Sequence, residues 1–198
     1  MITVQTEHVE AVIFQQAKSG NIESGDTYFT HSESDYFLFA IADGLGNGPI
    51  ARESAIVIPE ILSEYHGESI DDLLVRCNEQ MIQKRGAAVA IVKIDFKNKT
   101  IEYSCVGNVR FYIWQNREKM IYPLPVMGYL SGRPVKLNTQ SYTYLPGDVF
   151  FLHSDGVELR SPTSLLKKSC SLFEIYNRVV RTSVVDDDVT FIAGSLLQ

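Results

Sequence analysis

Between Pro49 and Lys84 the chain carries two helix-like segments in succession, with short apolar runs on both sides of them. This order is the strongest constraint on the fold. Parallel strands need a crossover helix between each pair, so strict βαβ alternation is excluded. Strands, two adjacent helices, a run of strands, then one helix and a last strand suit antiparallel sheets with helices packed outside them. The strand-like runs are Ala11–Gln16, Tyr36–Ala42, Ala87–Ile94, Ile101–Val106, Arg110–Trp114, Val149–His153 and Val189–Gly194. They are rich in Val, Ile, Phe and Tyr and mostly end at Gly, Asn, Asp or Lys. Asp95–Thr100 reads as a hairpin loop and Gly107-Asn108 as a tight turn.

The first helix is expected from about Pro49 to Tyr65. Pro49 suits a first helical turn, and Ala55, Ile58, Ile61, Leu62 and Tyr65 recur at helical spacing. The second is expected from about Ser69 to Lys84, with Ser69 as its cap and Asp71 and Asp72 in the positive first turn. A third is expected over Ser171–Thr182. Pro123–Pro146 is punctuated by Gly and Pro and reads as loop, either beside a site or as plain connection.

At 198 residues the chain reads as one domain, 1–198, and 45% hydrophobic composition supplies its core. No apolar run is long enough to span a bilayer, so no membrane association is expected. The first residues lack the basic and apolar regions of a leader, so a cytoplasmic protein is expected. A net charge of −6 without any basic run argues against nucleic acid, which needs clustered Lys and Arg. A monomer is expected. Cys77, Cys105 and Cys170 are odd in number and share no close spacing, so free, mostly buried thiols are expected rather than disulfides or zinc ligands.

Four short segments carry the chemistry. They are Ser24-Gly25-Asp26, Asp43-Gly44-Leu45-Gly46-Asn47-Gly48, Ser154-Asp155-Gly156 and Asp186-Asp187-Asp188-Val189-Thr190. The last three adjoin apolar strand-like runs, so rigid backbone would aim their carboxylates into one cleft. Collected carboxylates repel one another and need a cation, and oxygen-only ligands select hard ions such as Mg²⁺ and Mn²⁺. The glycines after Asp43 let main-chain carbonyls turn toward such an ion. A phosphate-cradling glycine loop fits less well, because the leading Asp repels phosphate and no Walker lysine follows. His153 lies next to Asp155 but inside the strand run, where alternation makes it a packed neighbour. Arg52 and Arg110 could touch phosphate, although a structural or surface role is favoured for both.

These segments, with Gly107-Asn108 and the run Leu145-Pro-Gly-Asp-Val-Phe-Phe-Leu-His-Ser-Asp-Gly-Val-Glu158, stand in the order seen in metal-dependent protein phosphatases of type 2C. The chain resembles that family over nearly its whole length, and most of all the bacterial sporulation and stress-response branch. Gly107-Asn-Val-Arg-Phe111 and Tyr122-Pro-Leu-Pro-Val-Met-Gly-Tyr-Leu-Ser-Gly132 are similar to the small stand-alone phosphatases of the stressosome. The resemblance implies an α+β fold, a four-layer αββα sandwich with two central antiparallel sheets flanked by helices. It implies two Mn²⁺ or Mg²⁺ ions, which lower the pKa of a shared water and neutralise phosphoryl oxygens. Asp43 would bridge the ions and Gly44 would offer its carbonyl to one of them. Asp155 and Asp187 would bind the other, Asp187 being chosen over Asp186 and Asp188 by its spacing to Thr190. Asp26 would act from behind or through water. The resemblance also implies phosphoserine or phosphothreonine substrates on stressosome proteins, in negative feedback on the general-stress sigma factor. Unlike many relatives, the chain has no arginine in Gly20–Gly25 to hold phosphate. Two other readings stand beside this one: a catalytically silent binding module with the same fold, and a two-metal phosphoesterase for small molecules.

Overall fold

The computed structural model describes residues 1–183 and 186–198. In chain order the elements are β1 (Ile2–Gln5), β2 (Val9–Gln16), β3 (Asp26–Ser32), β4 (Tyr36–Gly44), α1 (Gly48–Ala55), α2 (Val57–Tyr65) and α3 (Ile70–Glu79). There follow β5 (Ala87–Asp95), β6 (Thr100–Val106), β7 (Arg110–Gln115), β8 (Lys119–Ile121), β9 (Gln140–Thr143), β10 (Val149–His153), α4 (Pro162–Lys168), α5 (Leu172–Thr182) and β11 (Val189–Leu196). One sheet has the order β1-β2-β11-β10-β7-β8 and the other β3-β4-β5-β6-β9, with every pair antiparallel.

Strand alternation builds the four layers. On β4, Phe37, Phe39 and Ile41 point between the sheets, where they meet Phe111, Ile113, Phe150 and Leu152. The Phe39 and Phe150 rings stack across that interface at 4.8 Å. The intervening Leu38, Ala40 and Ala42 face α1–α3 on the outside. On the other sheet Tyr112, Trp114, Phe151 and Phe191 face α4 and α5. A strand buried on both faces reads as continuous apolar sequence, which is why β4 shows no alternation in its composition. The arrangement is the expected αββα sandwich. Among the described residues, no helix is long and apolar enough to cross a membrane.

Several elements differ from expectation. The single helix over Pro49–Tyr65 is two, α1 and α2, separated at Ile56. Pro59 has no N–H to give the Ala55 carbonyl four residues back. That carbonyl instead accepts the Thr27 hydroxyl at 2.8 Å, which ties the break to β3. The second helix stops at Glu79 rather than Lys84. Its start is as expected, with the Ser69 hydroxyl accepting the Asp72 N–H at 3.2 Å. Ser69→Ala should lower stability by about 1 kcal/mol in urea unfolding. Helix α4 was not anticipated, since seven residues are too few to show periodicity. Nor were β1, β3, β8 and β9, which are short or polar. Gly107-Asn108 does turn the chain, but between sheets: β6 lies in one and β7 in the other. The Pro123–Pro146 stretch contains β9 and also lines a cleft described below.

Candidate metal centre

The register of β3 against β4 sets Asp26 directly opposite Asp43. Asp26 is buried and Asp43 half-buried at the end of its strand. Gly44 follows, and a Cβ there would lie 1.9 Å from the Ala51 carbonyl oxygen. Only glycine lets α1 close onto this strand end. In the other sheet, β10 and β11 are neighbours, so the turn after β10 and the loop before β11 emerge side by side. Ser154 joins them: its N–H donates to the Thr190 carbonyl at 2.9 Å, and its hydroxyl accepts the Thr190 N–H at 3.0 Å. At Gly156 a Cβ would fall 2.1 Å from the Asp188 carbonyl oxygen, so glycine is again required for the two loops to touch. The Gln15 side-chain amide reaches from β2 to the Asp26 carbonyl at 2.9 Å and links the two sheets at this end.

Asp26, Asp43, Asp155 and Asp187 are therefore brought from four separate segments to one end of the sandwich, near enough for their charges to interact. Their mutual effects are those of close carboxylates. Burial raises the Asp43 carboxyl to about 7, reinforced by Asp155, Asp187 and Asp188. Burial, then the charge of Asp43, holds Asp26 well above the usual carboxylate range, against the pull of the Ser154 and Thr190 hydroxyls. Burial and Asp187 raise Asp155 as well, opposed by the backbone N–H groups of Asp155 and Gly156 and, least, by Arg110. Among the described residues no Lys or Arg forms an ion pair with any of these aspartates. Asp26 Oδ2 is buried with no hydrogen-bond partner. An orphaned carboxylate oxygen beside three converging carboxylates fits divalent cations, and the all-oxygen donor set fits Mg²⁺ or Mn²⁺.

Three neighbouring residues take up places the sequence did not assign them: Asn108 was read only as a turn former, Asp188 was not separated from Asp187, and a structural or surface role was favoured for Arg110. The Asn108 side-chain amide donates to Asp155 Oδ2 at 2.6 Å and fixes that carboxylate. Asp188 accepts the Lys18 N–H and the Gly25 N–H, each at 2.8 Å, so its carboxylate ties down the loop that leads into Asp26. Arg110 lines two clefts at once. One, of about 780 Å³, includes Asp155, Glu158, Arg160 and Arg178; the other, of about 430 Å³, includes Asp43, Asn108, Tyr122, Met127 and Tyr129. The structural role favoured for Arg52 is borne out, since it pairs with Glu23 and donates to the Ser24 carbonyl. His153 is the packed neighbour expected. Burial lowers its imidazole to about 4, and Nδ1 lies 2.7 Å from the Ser154 carbonyl oxygen.

A protein-family model described as stage II sporulation protein E matches residues 33–195. The chain belongs to the SpoIIE family. It is 39% identical to phosphoserine phosphatase RsbX of Bacillus subtilis (strain 168), over 99% of this chain and 100% of that protein. The crystal structure of RsbX in complex with magnesium superposes with a TM-score of 0.95 at 37% identity, covering 98% of each chain. A chain from work on the bacterial stressosome as a modular system adapted to control secondary messenger signalling follows at 0.85 and 27%, covering 94% of this chain and 98% of that one. The type 2C phosphatase domain of Bacillus subtilis SpoIIE itself shares the fold, at 0.79 and 18%, with 96% of this chain and 63% of that one covered. Within the SpoIIE family the chain thus pairs a type 2C fold with an acidic centre at one end of the sandwich.

Proposed function

We propose that this chain is a cytoplasmic Mn²⁺- or Mg²⁺-dependent phosphatase that removes phosphate from phosphoserine or phosphothreonine on stressosome proteins, with 1–198 as its catalytic domain. It would thereby act in negative feedback on the general-stress sigma factor. The convergence of Asp26, Asp43, Asp155 and Asp187 carries the reading. The likeness to a phosphoserine phosphatase whose structure was solved with magnesium supports it.

Asp43, the Gly44 carbonyl, Asp155 and Asp187 would hold the ions, and Asp26 would act from behind Asp43. Bound there, two such ions generate a nucleophile from water near neutral pH and neutralise the phosphoryl oxygens. The chain's own residues position the rest. Asn108 holds Asp155 in orientation, and Asp188 keeps the Gly25 loop closed behind Asp26. Arg110, at the mouth of both clefts, supplies the phosphate-binding cation missing from Gly20–Gly25, in place of the surface role the sequence favoured. No protein nucleophile is needed, which suits a chain whose Cys77 and Cys105 thiols burial raises to about 12. Tyr122, Met127 and Tyr129 give the smaller cleft an apolar rim suited to a polypeptide substrate.

A silent binding module would have no use for a carboxylate cluster, anchored on buried Asp26, whose members raise one another's pKa values. A small-ester hydrolase is separated by substrate preference. With Mn²⁺ the protein should hydrolyse p-nitrophenyl phosphate, and chelator should abolish this. A phosphoserine-bearing stressosome protein should be preferred over small esters. No metal-dependent turnover would favour the silent module, and preference for small esters would overturn the protein substrate. Arg110→Ala should lower kcat/KM by roughly 10- to 100-fold, the worth of one or two charge-assisted hydrogen bonds. Inhibition by inorganic phosphate should weaken in parallel, as steady-state kinetics would show.

A further inference from the structure

The far end of β3 carries a second group of ligating side chains. His31, Glu33 and His66 each present one donor atom, and these atoms lie within 4.8 Å of one another. Two come from the β3–β4 hairpin and the third from the loop after α2, so tertiary packing brings them together. The His31 and His66 rings stack at 3.9 Å, and His31 Nε2 lies 2.8 Å from Glu33 Oε1. Tyr36 Oη lies 2.6 Å from His66 Nδ1. With the proton on Nδ1 the phenol accepts it, and Nε2 keeps its lone pair. That is the outer partner a metal-bound imidazole needs to fix tautomer and ring orientation. The loop carrying His66 is also fixed. Lys93 Nζ donates to the carbonyls of His66, Gly67 and Glu68, at 3.3, 3.3 and 2.9 Å, while lying 4.4 Å from the Tyr36 ring centroid.

We propose that His31, Glu33 and His66 form a second metal site, distinct from the acidic centre, for a borderline cation of which Zn²⁺ is the type. Two imidazoles and one carboxylate suit Zn²⁺ with a fourth position left to water, whereas Mg²⁺ and Mn²⁺ favour all-oxygen sets. The ion takes the place of the proton between His31 Nε2 and Glu33, which moves to Nδ1 of the neutral ring or, from the imidazolium, to solvent, and it joins the β3–β4 hairpin to the α2–α3 loop. His31 is five residues from Asp26 along β3, roughly 17 Å at about 3.3 Å per residue, so the two sites share no ligand.

Excess Mg²⁺ occupies the carboxylate centre and leaves imidazoles free, so the test is Zn²⁺ titration of the whole protein in excess Mg²⁺. Calorimetry should give one Zn²⁺ per chain. The ring ¹⁵N resonances of His31 and His66 should shift while those of His8 and His153 do not. His31→Ala and His66→Ala should each abolish this binding and leave Mg²⁺-supported phosphatase turnover unchanged. Tyr36→Phe should weaken Zn²⁺ by about 10-fold or more, the usual cost of losing an outer partner. If no Zn²⁺ is taken up in excess Mg²⁺, or the His31→Ala, His66→Ala double variant binds it as the wild type does, the site does not exist.

Discussion

Asp43→Asn should abolish most turnover and make the metal-free protein more stable. The loss in kcat should be about 10³-fold or more, since ions held by Asp43 would supply several kcal/mol of charge stabilisation at about 1.4 kcal/mol per decade. The gain in stability has the opposite sign from most substitutions at a buried polar residue. In the metal-free fold, burial and then the neighbouring carboxylates push the Asp43 carboxyl up to about 7, from an ordinary 3.8. A raised acid favours folding when protonated. Its contribution is therefore fully present below about pH 4 and is lost as pH rises toward 7. Asparagine carries no charge at any pH. Above pH 7, without divalent ions, Asp43→Asn should unfold at higher urea, by an amount on the order of 2–4 kcal/mol at about 1.4 kcal/mol per pKa unit. Near pH 4 the two proteins should unfold together. Equal stability at both pH values would mean that Asp43 is not crowded by the other carboxylates.

Gly156→Ala should be nearly as damaging to activity, through position and not charge. A methyl group at 156 would stand 2.1 Å from the Asp188 carbonyl and 3.3 Å from the Asp187 Cβ. The Asp155 turn and the Asp187 loop must then separate by an ångström or so. Displacement of that size costs about 10²-fold in rate, and relieving the overlap costs roughly 1–3 kcal/mol of stability. Gly67→Ala is the control, because nothing lies within 4 Å of its added Cβ. If Gly156→Ala keeps wild-type kinetics, the two loops do not need to touch.

The two-sheet architecture was legible because adjacent helices between strand runs leave few alternatives, and the strands that form the sheet centres are strongly apolar. β3 was not legible. Its residues Asp-Thr-Tyr-Phe-Thr-His-Ser alternate weakly, and its strand character comes from pairing with β4. The break at Ile56 had a visible signal in Pro59, but periodicity across Ala55–Tyr65 masked it. Of the site, Asp26, Asp43, Asp155 and Asp187 were readable because each stands beside glycine or another aspartate at a strand boundary. Asp188 was not separable from Asp187 by chemistry; only the fold gives one carboxylate two backbone N–H groups to hold. Asn108 was noticed as a turn former, since its hydrogen bond crosses 47 residues to Asp155. His31 and His66 stand 35 residues apart and share no motif, so only packing reveals them as neighbours.

The central claim is that the aspartates at one end of the sandwich hold divalent ions. A crystal grown with Mn²⁺ and measured at the manganese absorption edge tests it most directly. The account predicts two anomalous peaks, one bridging toward the second through Asp43, with Gly44, Asp155 and Asp187 among the contacts. No peak within reach of Asp43, at Mn²⁺ concentrations that support turnover, would contradict it.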